Sequence, residues 1–417
     1  MLSRFLAILA AAGCLPFVAQ PALAQTSLVV QYAYPSHQAF HKAVADAFTA
    51  DHPGVTITFR AAAPDYDEAL QTVLRQSMTK DLPDVFITGL QKIPDLVSRK
   101  IAVPLTSFAG GQDLAGLGYS DRLLSLGQVD NVQYGLAYAT STPIVFFNID
   151  LVKAAGGDPG RLPTDWDGLI SLAHSITSLG GGIDGMYYDV GTDDWMFQNL
   201  IFNQGGDLMS ADGKDIAFDG AEGKAAMRLF KRFFTEGGQK AIEQRAARQQ
   251  FAAGTLGIYF TSPSIISTFE KQIGGKFVMQ TSTMPLANPQ KAGVPTGGMA
   301  AVIITTDQEK QKAAWEYIKF ASGPVGQTIV AKATGYMPAN TKALEPGFLG
   351  DFFRQNPNWE SSSRQIPIAR KWAAWPGPNG VKIARNLVDN MTRIAGGADA
   401  DEVLAAMARE TRALLPK

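Results

Sequence analysis

The sequence predicts an α/β fold that is divided into two lobes. The chain has 417 residues, more than one hydrophobic core normally holds, so two units are expected. Short apolar runs alternate with amphipathic segments, an order typical of parallel strands joined by helices. The hydroxyl residues Thr140, Ser141 and Thr142 then lead through Pro143 into the unbroken apolar run 144–147, the pattern of a strand buried on both faces. We interpret this segment as an exposed, ligand-accessible crossing into the second lobe. The alternative is an ordinary loop before a buried strand.

The composition is that of a globular protein without a strong charge. Hydrophobic residues make up 46% of the chain and charged residues 18%, and its 41 glycines and 23 prolines suit many short connections. The formal net charge is −1, so no electrostatic footprint for nucleic acid or for an anionic membrane is visible. We therefore expect no nucleic-acid partner.

The N-terminus has the features of a secretory signal peptide. Arg4 supplies a positive charge, residues 5–19 are mostly apolar, and residues 22–24 (Ala-Leu-Ala) form a small-x-small cleavage site. We expect residues 1–24 to be removed and the mature protein to begin at Gln25 in the periplasm.

The single cysteine, Cys14, lies inside this signal. A lipoprotein cleaved just before Cys14 is an alternative, although the three residues ahead of it lack the usual large aliphatic side chain. Cleavage after residue 24 leaves a mature chain without cysteine. The hydrophobic core alone must then hold that chain together.

The first hundred residues predict a β-α-β-α-β order, in which Asp65 caps the second helix. The three strands are expected at residues 28–34, 55–59 and 83–89. Such strands lie parallel with right-handed crossovers, and ligands bind beyond their carboxyl ends. Those ends are residues 34–37, 62–66 and 88–91.

Beyond the crossing, the pattern continues to alternate. It predicts helices from residue 164 and over 223–234, a strand over 256–260 and an apolar strand over 300–304. Two amphipathic helices, 381–394 and 401–415, are expected in the tail.

Several short motifs occur in order along nearly the whole mature chain. They are Phe-Thr-Ala-Asp-His-Pro at 48–53, Pro-Asp-Val at 83–85, Thr-Pro-Ile-Val-Phe-Phe-Asn at 142–148, Pro-Thr-Asp-Trp at 163–166, residues 251–257, Gly-Gly at 297–298 and Thr-Gly-Tyr-Met-Pro at 334–338. Together they resemble the extracellular solute-binding proteins (family 1) of ABC importers that bind sugars and glycerol phosphates. Residues 141–143 and 335–336 are most similar to the glycerol-3-phosphate-binding type.

This resemblance implies a two-lobed periplasmic-binding-protein fold with three interlobe crossings and an interlobe ligand cleft. The crossings would fall near residues 138–143, 294–298 and 335–340. Lobe 1 would comprise residues 25–138 with 298–335, and lobe 2 residues 139–297 with 336–417. It also implies a monomer without cofactor or catalytic activity, which captures a carbohydrate or polyol derivative, with or without a phosphate or sulfonate, and delivers it to the transmembrane subunits of an ABC permease.

The resemblance implies three ligand contacts. Tyr66 stands where the family presents an aromatic side chain, Ser141 matches a hydroxyl that binds ligand in the glycerol-phosphate type, and Tyr336 follows the last crossing. The alternative for Tyr66 is an ordinary surface tyrosine that packs locally.

Further candidates come from the strand ends. Five of them lie at or just beyond the carboxyl ends of predicted strands: Tyr34, His37, Thr88, Gly89 and Gln91. The 88–91 loop contains no acidic residue, which departs from the glycerol-phosphate type and puts that ligand in doubt.

Hydroxyl residues and glycines near later strands are also candidates. Ser262 and Ser264 could offer hydroxyl or backbone N–H groups at a helix start. Gly297 and Gly298 would let the backbone approach a ligand closely. Simple turn glycines are the alternative.

Large aromatic and cationic side chains complete the candidate site. Trp195, Trp372 and Trp375 could stack on a sugar face, although large aromatics more often belong to the core. Arg370 or Lys382 could supply the cation that a phosphate or sulfonate needs.

His37 and His41 have the spacing of a helical metal pair, but no third ligand is evident and His41 is expected on the solvent face. We therefore expect no metal site. An exported carbohydrate-active hydrolase is the alternative function. The serine-hydrolase elbow, the zinc-helix motif and the P-loop are missing from the sequence, whereas paired carboxylates stay possible. A secreted interaction module is a third hypothesis.

Overall fold

A computed structural model of the protein describes residues 26–190 and 193–416. The expected signal peptide, its cleavage site and Cys14 lie outside these residues. No helix within the described ranges is long and apolar enough to cross a membrane.

The described residues form strands and helices that alternate along most of the chain. The strands are β1 (Thr26–Tyr32), β2 (Val55–Phe59), β3 (Val85–Gly89), β4 (Gln128–Val129), β5 (Val132–Gln133), β6 (Gly135–Ser141), β7 (Ile144–Asn148), β8 (Asp184–Tyr188), β9 (Leu256–Thr261), β10 (Met279–Thr283), β11 (Val294–Ile303) and β12 (Ala369–Lys371). The helices are α1 (Gln38–Asp51), α2 (Tyr66–Thr79), α3 (Ile93–Ser98), α4 (Thr106–Ala109), α5 (Asp121–Ser125), α6 (Ile149–Ala154), α7 (Trp166–Thr177), α8 (Trp195–Asn203), α9 (Ala221–Thr235), α10 (Gln244–Ala253), α11 (Ile266–Ile273), α12 (Gln308–Ala321), α13 (Pro324–Thr334), α14 (Gly350–Gln355), α15 (Gly380–Ala395) and α16 (Ala400–Leu414).

The first lobe contains β1, β2 and β3 with most of β6 and β11, which belong to a six-stranded sheet of order β12-β11-β3-β1-β2 in which β6 also pairs with β11. Strand β12 pairs only with residues 294–296 of β11, at the lobe 2 end of that strand. Strand β1 lies parallel to both β2 and β3, which confirms the order predicted for the first hundred residues. Helix α2 begins where expected, because the Asp65 carboxylate accepts a 2.8 Å hydrogen bond from the Glu68 N–H.

A four-stranded sheet with the order β10-β7-β9-β8 forms the second lobe. Its inner strand β7 is the apolar run predicted from the sequence. Successive side chains of a strand point to opposite faces. Val145 and Phe147 accordingly pack into one core, and Ile144 and Phe146 pack into another on the other side. The prediction of a strand buried on both faces is confirmed.

Each sheet has its own hydrophobic core. The core of lobe 1 draws on residues from 28–139 and from 299–339. One face of the second sheet is covered by a core that includes residues of α7, α8, α9, α15 and α16. The chain therefore has the two-lobed α/β architecture that the sequence predicts.

The segment between β6 and β7 leads from one sheet into the other, but it is not exposed as expected. Thr140, Ser141 and Thr142 are all buried. The Thr140 hydroxyl donates to the Met337 carbonyl at 2.8 Å, and the Thr142 hydroxyl lies 2.9 Å from that of Ser362. These hydroxyls bind neighbouring chain segments, so only Ser141 reaches the cleft described next.

Candidate ligand-binding cleft

A cavity of about 750 Å³ opens between the two lobes. Lobe 1 contributes side chains that follow β1 and begin α2. Lobe 2 contributes the ends of β8 and β9 together with parts of α8, α10 and α11. Residues from both lobes include Tyr34, His37, Tyr66, Ser141, Asp189, Asp193, Trp195, Arg245, Arg248, Ser262, Ser264, Gly297, Gly298 and Tyr336.

The lobe 1 wall is aromatic because the chain turns sharply at the end of β1. Tyr34 has a φ of 66°, a conformation uncommon for a residue with a side chain. Its N–H is held by the Ala63 carbonyl at 2.7 Å. The Tyr34 and Tyr66 rings meet edge to face, with centroids 4.9 Å apart. Both phenols therefore lie beyond the carboxyl ends of the parallel strands β1 and β2.

His37 stands on the same wall, with its ring between those of Tyr34 and Tyr336 at 5.2 and 6.1 Å. Burial lowers the pKa of His37 to about 4, so its imidazole is neutral at neutral pH. His41 is not on the solvent face as expected. It is fully buried, and its Nδ1 lies 3.2 Å from the Tyr138 hydroxyl. No cluster that could hold a metal ion occurs among the described residues.

The opposite wall, on lobe 2, begins at the end of β9. The Ser264 N–H donates to the Ser262 hydroxyl at 3.2 Å, in the turn before α11. Nearby, the buried Asp189 carboxylate accepts hydrogen bonds from Tyr259 at 3.0 Å and Thr261 at 2.9 Å. Arg248 lies 3.9 Å from the same carboxylate. This wall therefore presents hydroxyls beside a guanidinium group.

The floor of the cleft is where β11 meets α8. A Cβ on Gly297 would lie 2.9 Å from the Trp195 indole, so the ring lies against the glycine backbone. Gly298 has a φ of 113°, and a Cβ there would collide with the Ala139 carbonyl of β6. Here glycine is required by close approach and by conformation.

A smaller cavity of about 210 Å³ adjoins this cleft and is lined by Gln91, Trp375 and Asp194 among others. The Asp194 carboxylate accepts hydrogen bonds from Trp372 at 3.0 Å, Trp375 at 2.6 Å and Gln198 at 2.9 Å. Burial raises the pKa of Asp194, while these donors oppose the rise.

Asp193 lies next to this carboxylate and faces the cleft. Burial, helped by the charge of Asp194, raises the pKa of Asp193 to about 7. Its Oδ1 accepts the Trp195 N–H at 3.1 Å. The cleft therefore contains an acid whose charge changes near neutral pH.

The structure brings most of the predicted site residues together. Ten line the larger cavity: Tyr34, His37, Tyr66, Ser141, Trp195, Ser262, Ser264, Gly297, Gly298 and Tyr336. Gln91 and Trp375 line the smaller one. Trp372 lines both.

Four predicted residues lie elsewhere, and one of them is Lys382, an exposed residue of α15 that lines neither cavity. Thr88 is buried within β3, and Gly89 sits behind the Tyr66 ring, 2.8 Å away from a Cβ built on it. The Arg370 guanidinium lies 3.9 Å from the Phe202 ring centre and pairs with Asp207, away from both cavities. The predicted anion-binding cation is thus not supplied by Arg370, and the basic side chains at the larger cavity are Arg245 and Arg248.

Asp189, Asp193, Asp194 and Arg248 were not predicted. A signal for the acids was present, because they follow the parallel strand β8 in sequence, and ligands bind beyond such strand ends. The sequence pattern predicts no strand over residues 184–188, so it does not mark the end of β8 as part of the site. Nothing in the local pattern marks Arg248, which reaches the cleft from the side of α10.

Comparison with known proteins defines the class of this protein. The family of bacterial extracellular solute-binding proteins matches residues 43–360. The chain belongs to this family, whose members are solute-binding proteins and not enzymes.

Individual relatives agree with the family. A protein of Brucella abortus (strain 2308), named only as a binding protein, is 25% identical over 395 residues, which cover 91% of this chain and 90% of the relative. The diacetylchitobiose-binding protein DasA of Streptomyces coelicolor is 25% identical over 319 residues, 72% of this chain and 71% of its own. The crystal structure of UgpB from Mycobacterium tuberculosis, in complex with glycerophosphocholine, has a TM-score of 0.82 at 20% identity and covers 94% of this chain and 98% of that one. This likeness shows the fold.

Proposed function

We propose that this chain is the periplasmic substrate-binding protein of an ABC importer. It captures a carbohydrate or polyol derivative, with or without a phosphate or sulfonate, and delivers it to the transmembrane subunits of a permease. The observation that carries the proposal is the cavity of about 750 Å³ with polar and aromatic walls from both lobes. Pockets of this volume suit small molecules.

Binding would work by closure of the lobes. Lobe 1 comprises residues 25–138 with 298–335 and lobe 2 residues 139–297 with 336–417, joined by three crossings. Tyr66 and Ser262 stand on opposite walls, so a ligand that contacts both favours the closed form. The closed form would then present a surface to the permease.

Different side chains of the cleft would bind different parts of the ligand. Tyr66, Ser141 and Tyr336 would supply directional hydrogen bonds, and Trp195 a flat apolar face for a sugar ring. Ser262, Ser264 and Arg248 lie on the wall that suits a phosphate or sulfonate. A ligand that leaves one of these buried polar groups without a hydrogen-bond partner would lose about 1–3 kcal/mol of binding free energy, which is enough to discriminate between ligands.

The relatives support a sugar or polyol ligand. DasA is named for diacetylchitobiose, and the UgpB structure holds glycerophosphocholine. We propose further that the chain is exported with loss of residues 1–24, acts as a monomer in the periplasm, and needs neither cofactor nor nucleic acid.

The test is a ligand screen on the purified mature chain. Thermal melting is measured with neutral sugars, sugar acids, glycerophosphates and sulfonates, and calorimetry then measures affinity for those that stabilise. At a concentration of 100 Kd a ligand adds about 2.7 kcal/mol to stability, which shifts the melting temperature measurably. We expect one chemical class to stabilise without being consumed. Absence of any shift counts against the proposal, and conversion of a stabilising sugar to product would favour the hydrolase.

A further inference from the structure

Three aromatic rings and one carboxylate stand where the two cavities meet. Tyr34, Tyr66, Trp372 and Asp193 line both the larger and the smaller cavity. We call these four residues the junction. The tyrosines belong to lobe 1, whereas Asp193 and Trp372 belong to lobe 2. The junction is therefore a place where both lobes can contact the same chemical group.

The junction rings are set at angles to one another. The Tyr34 and Tyr66 planes are 84° apart. On the other side, Trp372 lies 6.4 Å from Trp195, with the planes tilted by 51°. Ring faces carry partial negative charge, so rings arranged around a space attract a cation placed in it.

The Asp193 carboxylate adds a negative charge to this aromatic surface when it is ionised. The negative charges of Asp194 and Asp189 raise the pKa of Asp193, whereas the positive charge of Lys92 lowers it. The charge of Asp193 in turn raises the pKa of the Tyr34 and Tyr66 phenols. Lys92 itself pairs with Asp67 at 2.5 Å. A carboxylate surrounded in this way, and partly withdrawn from water, either takes up a proton or is stabilised in its charged form by a cation.

A second observation is a buried donor that lacks an acceptor. Trp195 is 8% exposed and lines the larger cavity. Its indole Nε1 has no hydrogen-bond partner among the described residues. Buried donors are normally paired, so an acceptor oxygen brought by a ligand would complete this site.

We propose that the junction binds an ammonium group of the ligand, while a nearby ligand oxygen accepts a hydrogen bond from Trp195 Nε1. The inference rests on the proposed function and narrows the ligand to an amine-bearing or choline-bearing polyol or sugar. The rings would surround the cation and the Asp193 carboxylate would balance its charge. A neutral sugar stacked on the same rings would leave that charge uncompensated.

The test compares pairs of probes that differ in the cationic group. Calorimetry at pH 8 measures glycerophosphocholine against glycerophosphoglycerol, which are both phosphodiesters, and N-methylglucamine, whose amine is protonated at this pH, against sorbitol. We expect the ammonium-bearing member of at least one pair to bind at least about tenfold more tightly, a difference of one decade in Kd. Equal affinity within both pairs, preference for the members without ammonium, or binding of other sugars alone overturns this inference and leaves the proposed function standing. Failure of every compound in the wider screen counts against the proposed function itself.

A variant tests the role of the carboxylate. Asp193→Asn keeps the shape of the side chain and removes its charge. We expect it to weaken binding of the ammonium-bearing probe by about tenfold or more and to change binding of the other members by less than about twofold. The control is Asp46→Asn, an exposed acid on α1 that pairs with Lys42, which should change neither. An Asp193→Asn protein that melts normally and keeps its preference for ammonium contradicts the inference.

Discussion

The indole N–H of Trp375 donates a 2.6 Å hydrogen bond to the buried carboxylate of Asp194. Trp372 donates to the other oxygen of the same carboxylate at 3.0 Å. Asp194 directly precedes α8, so these bonds join the segment after β12 to the start of α8 beside the cleft. The tail is thus part of the binding architecture, and its tryptophans position an acid.

Trp375→Phe should destabilise the protein. The substitution keeps an aromatic ring but leaves the buried Asp194 carboxylate without one of its donors. Leaving a buried polar group without a partner costs about 1–3 kcal/mol. Urea denaturation should show a loss of free energy of unfolding in this range.

Trp315→Phe is the matched control. Trp315 is also buried, but its Nε1 has no hydrogen-bond partner in the described part of the chain. This change removes similar volume and no hydrogen bond. If both variants lose the same stability, packing and not the bond to Asp194 explains the effect.

Gly298→Ala should disrupt the floor of the cleft. The residue has a φ of 113°, and its Cβ would meet the Ala139 carbonyl. Strained backbone of this kind costs about 1–3 kcal/mol, and the steric conflict adds to it. We expect a lower melting temperature and weaker ligand binding. Gly54→Ala is the control, because nothing lies within 4 Å of a Cβ at Gly54; a loss equal to that of Gly298→Ala would refute the steric explanation.

The fold was largely predictable from the sequence because short local patterns of apolar and capping residues indicate its strands and helices. The apolar run 144–147 and the Asp65 cap each depend on a few neighbouring residues, and both are as predicted. The burial of Thr140 and Thr142 was not predictable in this way. Their partners, Met337 and Ser362, are about two hundred residues away in sequence, and only the folded chain brings them together.

The candidate site was predictable to the extent that it follows strand ends and family motifs. Three tyrosines predicted on these grounds do line the cleft: Tyr34, Tyr66 and Tyr336. Arg370 was placed in the cleft on charge alone, whereas its side chain lies on Phe202. The positive charge of an arginine does not indicate which surface its long side chain will reach. The position of Arg248 at the cleft could therefore not be predicted from the sequence either.

Tyr336→Ala should weaken ligand binding strongly while the fold persists. Tyr336 is buried at the cleft, and burial raises its pKa to about 12, so its hydroxyl stays a neutral hydrogen-bonding group. We expect a loss of about 1–3 kcal/mol in binding free energy by calorimetry with the best compound of the screen. Tyr134→Ala, a partly buried tyrosine of lobe 1 outside both cavities, should leave affinity unchanged. Unchanged affinity in Tyr336→Ala removes Tyr336 from the site.

Binding of a cationic ligand should strengthen as pH rises. Burial, and then the negative charges of Asp194 and Asp189, raise the pKa of Asp193 to about 7. The hydrogen bond from the Trp195 N–H and the positive charge of Lys92 lower this pKa and so limit the rise. A cation prefers the ionised carboxylate, so below pH 7 binding must release a proton. Affinity for glycerophosphocholine should therefore rise about tenfold from pH 6 to pH 8.

Two results would check this pH dependence. Asp193→Asn should abolish it, because the residue no longer titrates. Calorimetry at pH 6 in buffers of different ionisation enthalpy should detect the released proton. An affinity that is flat over this range in the unchanged protein shows that Asp193 does not bind a cation.

The central claim is that the two lobes close on a small polar ligand between them. Small-angle X-ray scattering of the mature protein, with and without a saturating compound from the ligand screen, measures this directly. The account predicts a smaller radius of gyration in the bound state, because contacts to both walls hold the lobes together. A radius of gyration that stays the same while calorimetry shows full occupancy would contradict it.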